Sequence, residues 1–227
     1  MPKKPEKNNN RKVIIPKHIK NILFDMDDVL VLTRVIDKEV KKVLFVPLGL
    51  NWSQIFPYTH LSLREMIQKM FEELKINESP DKYIKDYFLR YDKVLAQKAK
   101  KNTVPGATEL IKRLLKKKYN LALVTSSTIN QAKIVCRELG LDGDFKALIT
   151  ADDITHSKPH PEPYQKAMER LNANAAECAV IEDLPTGIMS AKNASKEIFV
   201  IAITTTNSAE NLEEADVVIN SFKEIEI

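Results

Sequence analysis

The chain has 227 residues, 44% of them hydrophobic, enough for a substantial core and for one large domain or a domain with a smaller companion. Its net charge of +4 is unevenly placed: residues 1–20 hold seven Lys/Arg and one Glu, which leaves −2 on the rest. A nucleic-acid binder carries its basic stripe on the folded domain, so this distribution argues against that class, and no apolar run approaches the ~20 residues of a membrane span.

In chain order, "MPKKPEKNNNRKVIIPKHIK" has no apolar h-region and does not read as a signal peptide; residues 1–20 are expected to form a basic, disordered tail. "NILFDMD" reads as a short buried strand. About ninety residues then separate it from the second strand, far more than the ~10–12 of a minimal crossover. Within them "TRVIDKEVKKVLF" reads as a helix ending before Pro47. Leu63, Ile67, Met70, Phe71 and Leu74 mark a second amphipathic helix, and Tyr83, Tyr87, Tyr91, Val94 and Leu95 a third. Residues 33–100 are therefore expected to be a helical insertion, with 21–32 and 101–227 forming the main domain.

After the insertion, helices and strands alternate. "ATELIKRLLKKK" places Leu110, Ile111, Leu114 and Leu115 on one helical face, and "YNLALVTSS" is the second strand. "INQAKIVCRELG" is a helix closed by Gly140, and "FKALIT" is the third strand. "PEPYQKAMERLN" is a helix with proline in its first turn, "CAVIED" the fourth strand, "PTGIMSAKNAS" a helix and "IFVIAI" the fifth strand. "SAENLEEA" as a helix and "DVVIN" as a sixth strand complete the series. Strands apolar throughout that alternate with helices indicate an α/β fold, a Rossmann-like doubly wound parallel sheet covered on both faces. Cys136 and Cys178 make neither a metal spacing nor a disulfide framework and are expected to be reduced, buried thiols in a cytoplasmic protein.

Ligands of parallel sheets bind beyond the carboxyl ends of the strands. That edge collects Asp25, Asp27 and Asp28 from strand one and Thr125, Ser126 and Ser127 from strand two. Lys158 follows strand three, and Glu182 and Asp183 end strand four. Taken singly, each has a plain explanation: Asp is a turn residue, "TSS" an N-cap cluster, and "ED" an acidic helix start. Together they suit phosphoryl transfer. Grouped carboxylates form a hard-cation site of the Mg²⁺ type, which also answers the repulsion among three aspartates. A lysine and a hydroxyl-bearing loop can hold phosphoryl oxygens, a carboxylate can attack phosphorus, and a second carboxyl can transfer a proton.

Four segments resemble the motifs of the haloacid dehalogenase superfamily, in its helical-cap branch: "FDMDDVL", "LALVTSS", "SKPHPEPY" and "AVIEDLPTGIMSAKNA". The resemblance runs from about residue 21 to 220 and includes "VPGATELIKRL" and the place of the cap between the first two motifs. It implies Asp25 as nucleophile, Asp27 as general acid/base and Lys158 as stabiliser of nucleophile and transition state. Phosphoryl binding falls to Thr125, Ser126 and Lys158, and Mg²⁺ binding to Asp25, Asp27, Asp183 and Glu182. Asp27 favours phosphate chemistry, because the dehalogenases lack a second aspartate. Two positions depart from the pattern: Asp28 stands where the family usually has glycine, and Ser195 where a helix-ending glycine is common.

The resemblance thus implies a phosphatase of a small phosphorylated metabolite, such as a sugar phosphate, with a cap that excludes water and selects the substrate. A mutase of the β-phosphoglucomutase type uses the same core, but "THLSLREM" has Leu63 where its arginine is expected, with Arg64 beside it. A receiver domain lacks a counterpart here to its mid-sheet phosphorylated Asp, and a silent phosphate-binding protein is the further alternative suggested by Asp28. A monomer or weak dimer is expected. Trp52, Tyr58, His60 and Arg64 are candidate cap-side contacts, although aromatics at helical spacing more often form core. The four histidines suggest no cluster.

Overall fold

The computed structural model describes residues 12–59 and 61–227. The expectations for residues 1–11 and for His60 lie outside the described residues. The chain divides into two units, one within Met1–Val31 and Thr103–Ile227 and the other within Leu32–Asn102.

The sheet unit begins with β1 (Val13–Ile14), followed by β2 (Asn21–Phe24), every residue of which is buried. Residues 12–20 are therefore not a free tail. Val13 and Ile14 pair in parallel with Ile225 and Glu226 near the chain end, and Ile15 and Ile19 are buried. The "VII" run within the basic segment carries enough apolar surface to fold back, which net charge alone obscures.

The helical unit holds α1 (Thr33–Phe45), the single-turn α2 (Trp52–Ile55), α3 (Leu63–Glu73) and α4 (Pro80–Lys98). Ser62 caps α3 in a reciprocal box with Glu65, and Pro80 opens α4. Their buried faces meet in an aromatic cluster: Phe45 stacks on Tyr83 at 5.9 Å, and Phe71 meets Tyr83 edge-on at 5.1 Å. The Tyr87 hydroxyl donates to Asp37 Oδ1 at 2.6 Å. The tyrosines of the third predicted helix are thus core. Tyr58 donates to Glu73, Arg64 pairs with Asp81, and Lys38 lies over the ring of Trp52, all within this unit.

The sheet unit resumes with α5 (Ala107–Lys116), β3 (Asn120–Val124), α6 (Ile129–Leu139), β4 (Ala147–Ile149) and α7 (Glu162–Leu171). Then come β5 (Cys178–Glu182), α8 (Pro185–Ala194), β6 (Phe199–Ile203), β7 (Val217–Ile219) and the short β8 (Ile225–Glu226). Gly140 ends α6 at φ 67°, in its expected left-handed role. Ser195 ends α8 in extended conformation at φ −165°, so no glycine is needed there. The helix expected at "SAENLEEA" is only a 3₁₀ turn, Ala209–Leu212, because Leu212 alone supplies an apolar anchor.

Among the described residues, six strands form one parallel sheet in the order β4-β3-β2-β5-β6-β7. The chain builds outward from β2 to one side and then returns to build the other, so β2 and β5 flank the topological switch point. Phe24 lies opposite Leu123 on one side and Ile181 on the other. One residue further on, that register brings Asp25 level with Val124 and Glu182.

Candidate active site

The strand ends converge as their register requires. The Asp25 amide donates to Ile181 O at 3.0 Å, which fixes the aspartate as β2 ends. Lys158 reaches in from the segment before α7, and its Nζ donates to Asp25 Oδ1 at 2.6 Å, Glu182 Oε1 at 2.6 Å and Val124 O at 3.0 Å. Asp25, Glu182 and Asp183 are all buried, and each places a carboxylate oxygen within 4.8 Å of the others.

The local sequence explains how these groups fit. Gly187 lies in the first turn of α8, and a Cβ there would fall 2.0 Å from the Glu182 carboxylate carbon. Only glycine leaves room for the acid. The Tyr164 hydroxyl, fully buried on α7, donates to Glu182 Oε1 at 2.6 Å. Thr206 donates to Asp183 Oδ2, and Asn207 Nδ2 donates to Asp183 O at 3.0 Å. Asp183 Oδ1 is buried with no hydrogen-bond partner.

Asp27 faces a different set of groups. Its Oδ2 accepts the Thr125 hydroxyl at 2.8 Å and the Ser127 hydroxyl at 3.0 Å. Of the expected ligands Asp25, Asp27, Asp183 and Glu182, the three other than Asp27 have carboxylate oxygens gathered within 4.8 Å of one another. Asp25 and Asp27, on either side of Met26, thus face different neighbours. Thr125 is buried beside Asp27, whereas Ser126 is exposed and its side chain lies outside the network. Asp28 adopts φ 58°, the left-handed conformation that a glycine position accommodates, and its amide donates to Val31 O at 2.7 Å.

The electrostatics are unbalanced. Burial disfavours a charge on Lys158, but Asp25 and Glu182 outweigh it and hold the pKa well above the usual lysine value. Burial pushes the Asp25 carboxyl well above the ordinary range; Lys158 opposes this, while Glu182, Asp27 and Asp183 add to it. Asp183 is pushed up to about 7, first by burial and then by Glu182 and Asp28, against the hydrogen bond from Thr206. One ammonium faces three buried carboxylates. A divalent cation fits this donor set: all the ligand atoms are oxygens, the net charge is negative, and Asp183 Oδ1 awaits a partner.

Comparison with known proteins accords with this layout. The sequence model of the haloacid dehalogenase-like hydrolase family matches residues 22–203. The chain belongs to that family. It is 41% identical over 123 residues to validoxylamine A 7'-phosphate phosphatase of Streptomyces hygroscopicus subsp. limoneus, a match covering 54% of this chain and 57% of that protein. The chain thus spans little more than half the length of that relative. Phosphorylated carbohydrates phosphatase of Thermotoga maritima is 28% identical over 199 residues, 87% of this chain and 91% of that protein. A Thermotoga maritima crystal structure provisionally described as a β-phosphoglucomutase superposes with a TM-score of 0.80 at 25% identity, covering 91% and 96% of the two chains.

Several residues of this family member's site went unread in the sequence: Tyr164, Gly187, Thr206 and Asn207. A signal existed for the last two. "TTTN" follows β6 directly, and the strand-end rule that selected Asp25 and Asp183 applies there too.

Proposed function

We propose that this protein is a Mg²⁺-dependent phosphatase of a small phosphorylated metabolite, a sugar phosphate in the first instance, acting through a phospho-aspartate on Asp25. The observation that carries this reading is the buried contact of Lys158 with Asp25 and Glu182, beside a partnerless Asp183 oxygen. Phosphatases among the named relatives, one of them for phosphorylated carbohydrates, support the substrate class.

In the proposed reaction an Asp25 carboxylate oxygen attacks phosphorus and the ester P–O bond breaks. Asp27 gives its proton to the leaving alkoxide. Water then attacks the phosphorus of the phospho-aspartate while Asp27 takes back a proton, releasing inorganic phosphate and restoring Asp25. Lys158 orients Asp25 and offsets charge on the phosphoryl oxygens. Thr125 and Ser127 hold Asp27 at the distance their hydroxyls set, and Thr125 with the Ser126 backbone lines the phosphoryl position. Asp25, Glu182 and Asp183 would hold Mg²⁺, which supplies positive charge against the incoming phosphoryl group. The helical unit is assigned substrate selection. The free, buried state of Cys136 and Cys178 supports a reducing, cytoplasmic setting, and no helix among the described residues is long and apolar enough to cross a membrane.

A mutase is the second reading, favoured by the Thermotoga maritima fold match. Release of phosphate from p-nitrophenyl phosphate, and from a panel of phosphorylated metabolites, with and without Mg²⁺ tests the proposal. Activity is expected to require Mg²⁺ and to fall at least ~100-fold in Asp25→Asn, the loss that accompanies removal of a nucleophile. Unchanged activity in that variant removes Asp25 from the role.

A further inference from the structure

The sequence spacing of the histidines suggests no cluster, and folding overturns this for two of them. His156 and His160 stand two residues on either side of Lys158, and their rings stack with centroids 4.4 Å apart at 29°. Glu162, the first residue of α7, brings its carboxylate to the same place. Its Oε2 lies 3.1 Å from His156 Nδ1 and accepts the His156 amide at 2.8 Å. Its Oε1 accepts the Thr155 amide at 3.0 Å and pairs with Lys166 at 2.9 Å. One possible ligand atom from each of His156, His160 and Glu162 lies within 4.8 Å of the others.

We propose that His156, His160 and Glu162 form a second metal site, for a divalent transition ion of the Zn²⁺ type, distinct from the carboxylate cluster. The donor set decides the class of ion. Two imidazoles and one carboxylate suit Zn²⁺, Ni²⁺ or Cu²⁺, whereas Mg²⁺ takes oxygens. Donor spacing agrees as well: bonds of ~2.0–2.1 Å in a tetrahedral site give donor-to-donor edges of about 3.3 Å. The His156–Glu162 pair, at 3.1 Å, is already at that separation, and His160, whose Nδ1 accepts the Glu162 amide at 3.2 Å, places a ring nitrogen within 4.8 Å of both.

Two further features favour ligation over simple loop packing. The carboxylate is oriented by two backbone amides and Lys166, the kind of outer support that fixes a metal-binding acid. Both histidines are exposed, so an ion can reach them without opening the fold. Three protein ligands leave a fourth position for water or an incoming anion. Because the histidines bracket Lys158, the ion ties together both flanks of the segment that delivers this lysine.

Calorimetric titration of Zn²⁺ into the full chain, in excess Mg²⁺ to occupy the hard-cation site, tests this. One saturable equivalent is expected. Affinity is expected to drop about tenfold or more in His156→Ala and in His160→Ala, and to persist in Asp183→Asn. Both histidines are exposed, so the variants are expected to keep the far-UV spectrum and melting temperature of the parent. Absence of saturable Zn²⁺ binding, indifference to both histidine substitutions, or loss of binding in Asp183→Asn instead would each overturn the proposal.

Discussion

Charge is placed in opposite ways in the two units. In the helical unit the Arg64–Asp81 pair has side chains 58% and 76% exposed, a setting in which an ion pair contributes ~0–1 kcal/mol. Its interior is built on Phe45, Phe71 and Tyr83, and the buried Lys41 is matched by Asp37 at 2.9 Å. At the sheet rim Lys158, Asp25 and Glu182 have side chains only 8%, 9% and 2% exposed, where desolvation costs several kcal/mol per ion. Stability explains the first arrangement and argues against the second. Acids buried in excess of bases are kept for chemistry, and that difference directs attention to the rim.

The comparison can be broken from either side. If the aromatic interior holds the helical unit together, Phe45→Ala is expected to destabilise it by about 3–5 kcal/mol, read by denaturant unfolding. A loss below ~1 kcal/mol would mean that the packed rings contribute little beyond what their neighbours can refill. At the rim, Gly187→Ala forces a methyl into the space of the Glu182 carboxylate. The expected result is a stability loss of about 1–3 kcal/mol and a fall in turnover of about 10- to 100-fold. Normal turnover there would show that Glu182 can move without consequence. The smallest effect is expected of Asp28→Gly, which relieves a left-handed residue and removes a negative charge acting on Asp183. Stability should rise by up to about 1 kcal/mol, while Mg²⁺ affinity weakens by a few-fold. No change in Mg²⁺ affinity would place the Asp28 charge outside the cluster's reach.

Most of the fold was legible because the strands are uniformly apolar and the helices periodic. The predicted bounds of α1 agree with those observed, and Gly140 closes α6 as expected. What the pattern concealed were features set by long-range contact. The β1–β8 pairing joins segments more than two hundred residues apart, and nothing local in "KVII" announces its partner. Within the site, acids and lysine at strand ends could be read because position alone marks them. Tyr164 and Gly187 could not, since a tyrosine on an amphipathic helix reads as core and a glycine in "PTG" as a turn. Their roles come from where the Glu182 carboxylate lies. Asp25 and Asp27 were similarly indistinguishable in the sequence, and the fold sets one against Lys158 and the other against Thr125.

The central claim is that the buried acids at the ends of β2 and β5 exist to hold a divalent cation. Calorimetric titration of Mg²⁺ into the parent and into Asp183→Asn tests it most directly. The expected result is a single site in the parent, weakened about 100-fold or more in the variant, because the replacement removes a charged oxygen ligand from a site with few others. Equal Mg²⁺ affinity in the two proteins would contradict it.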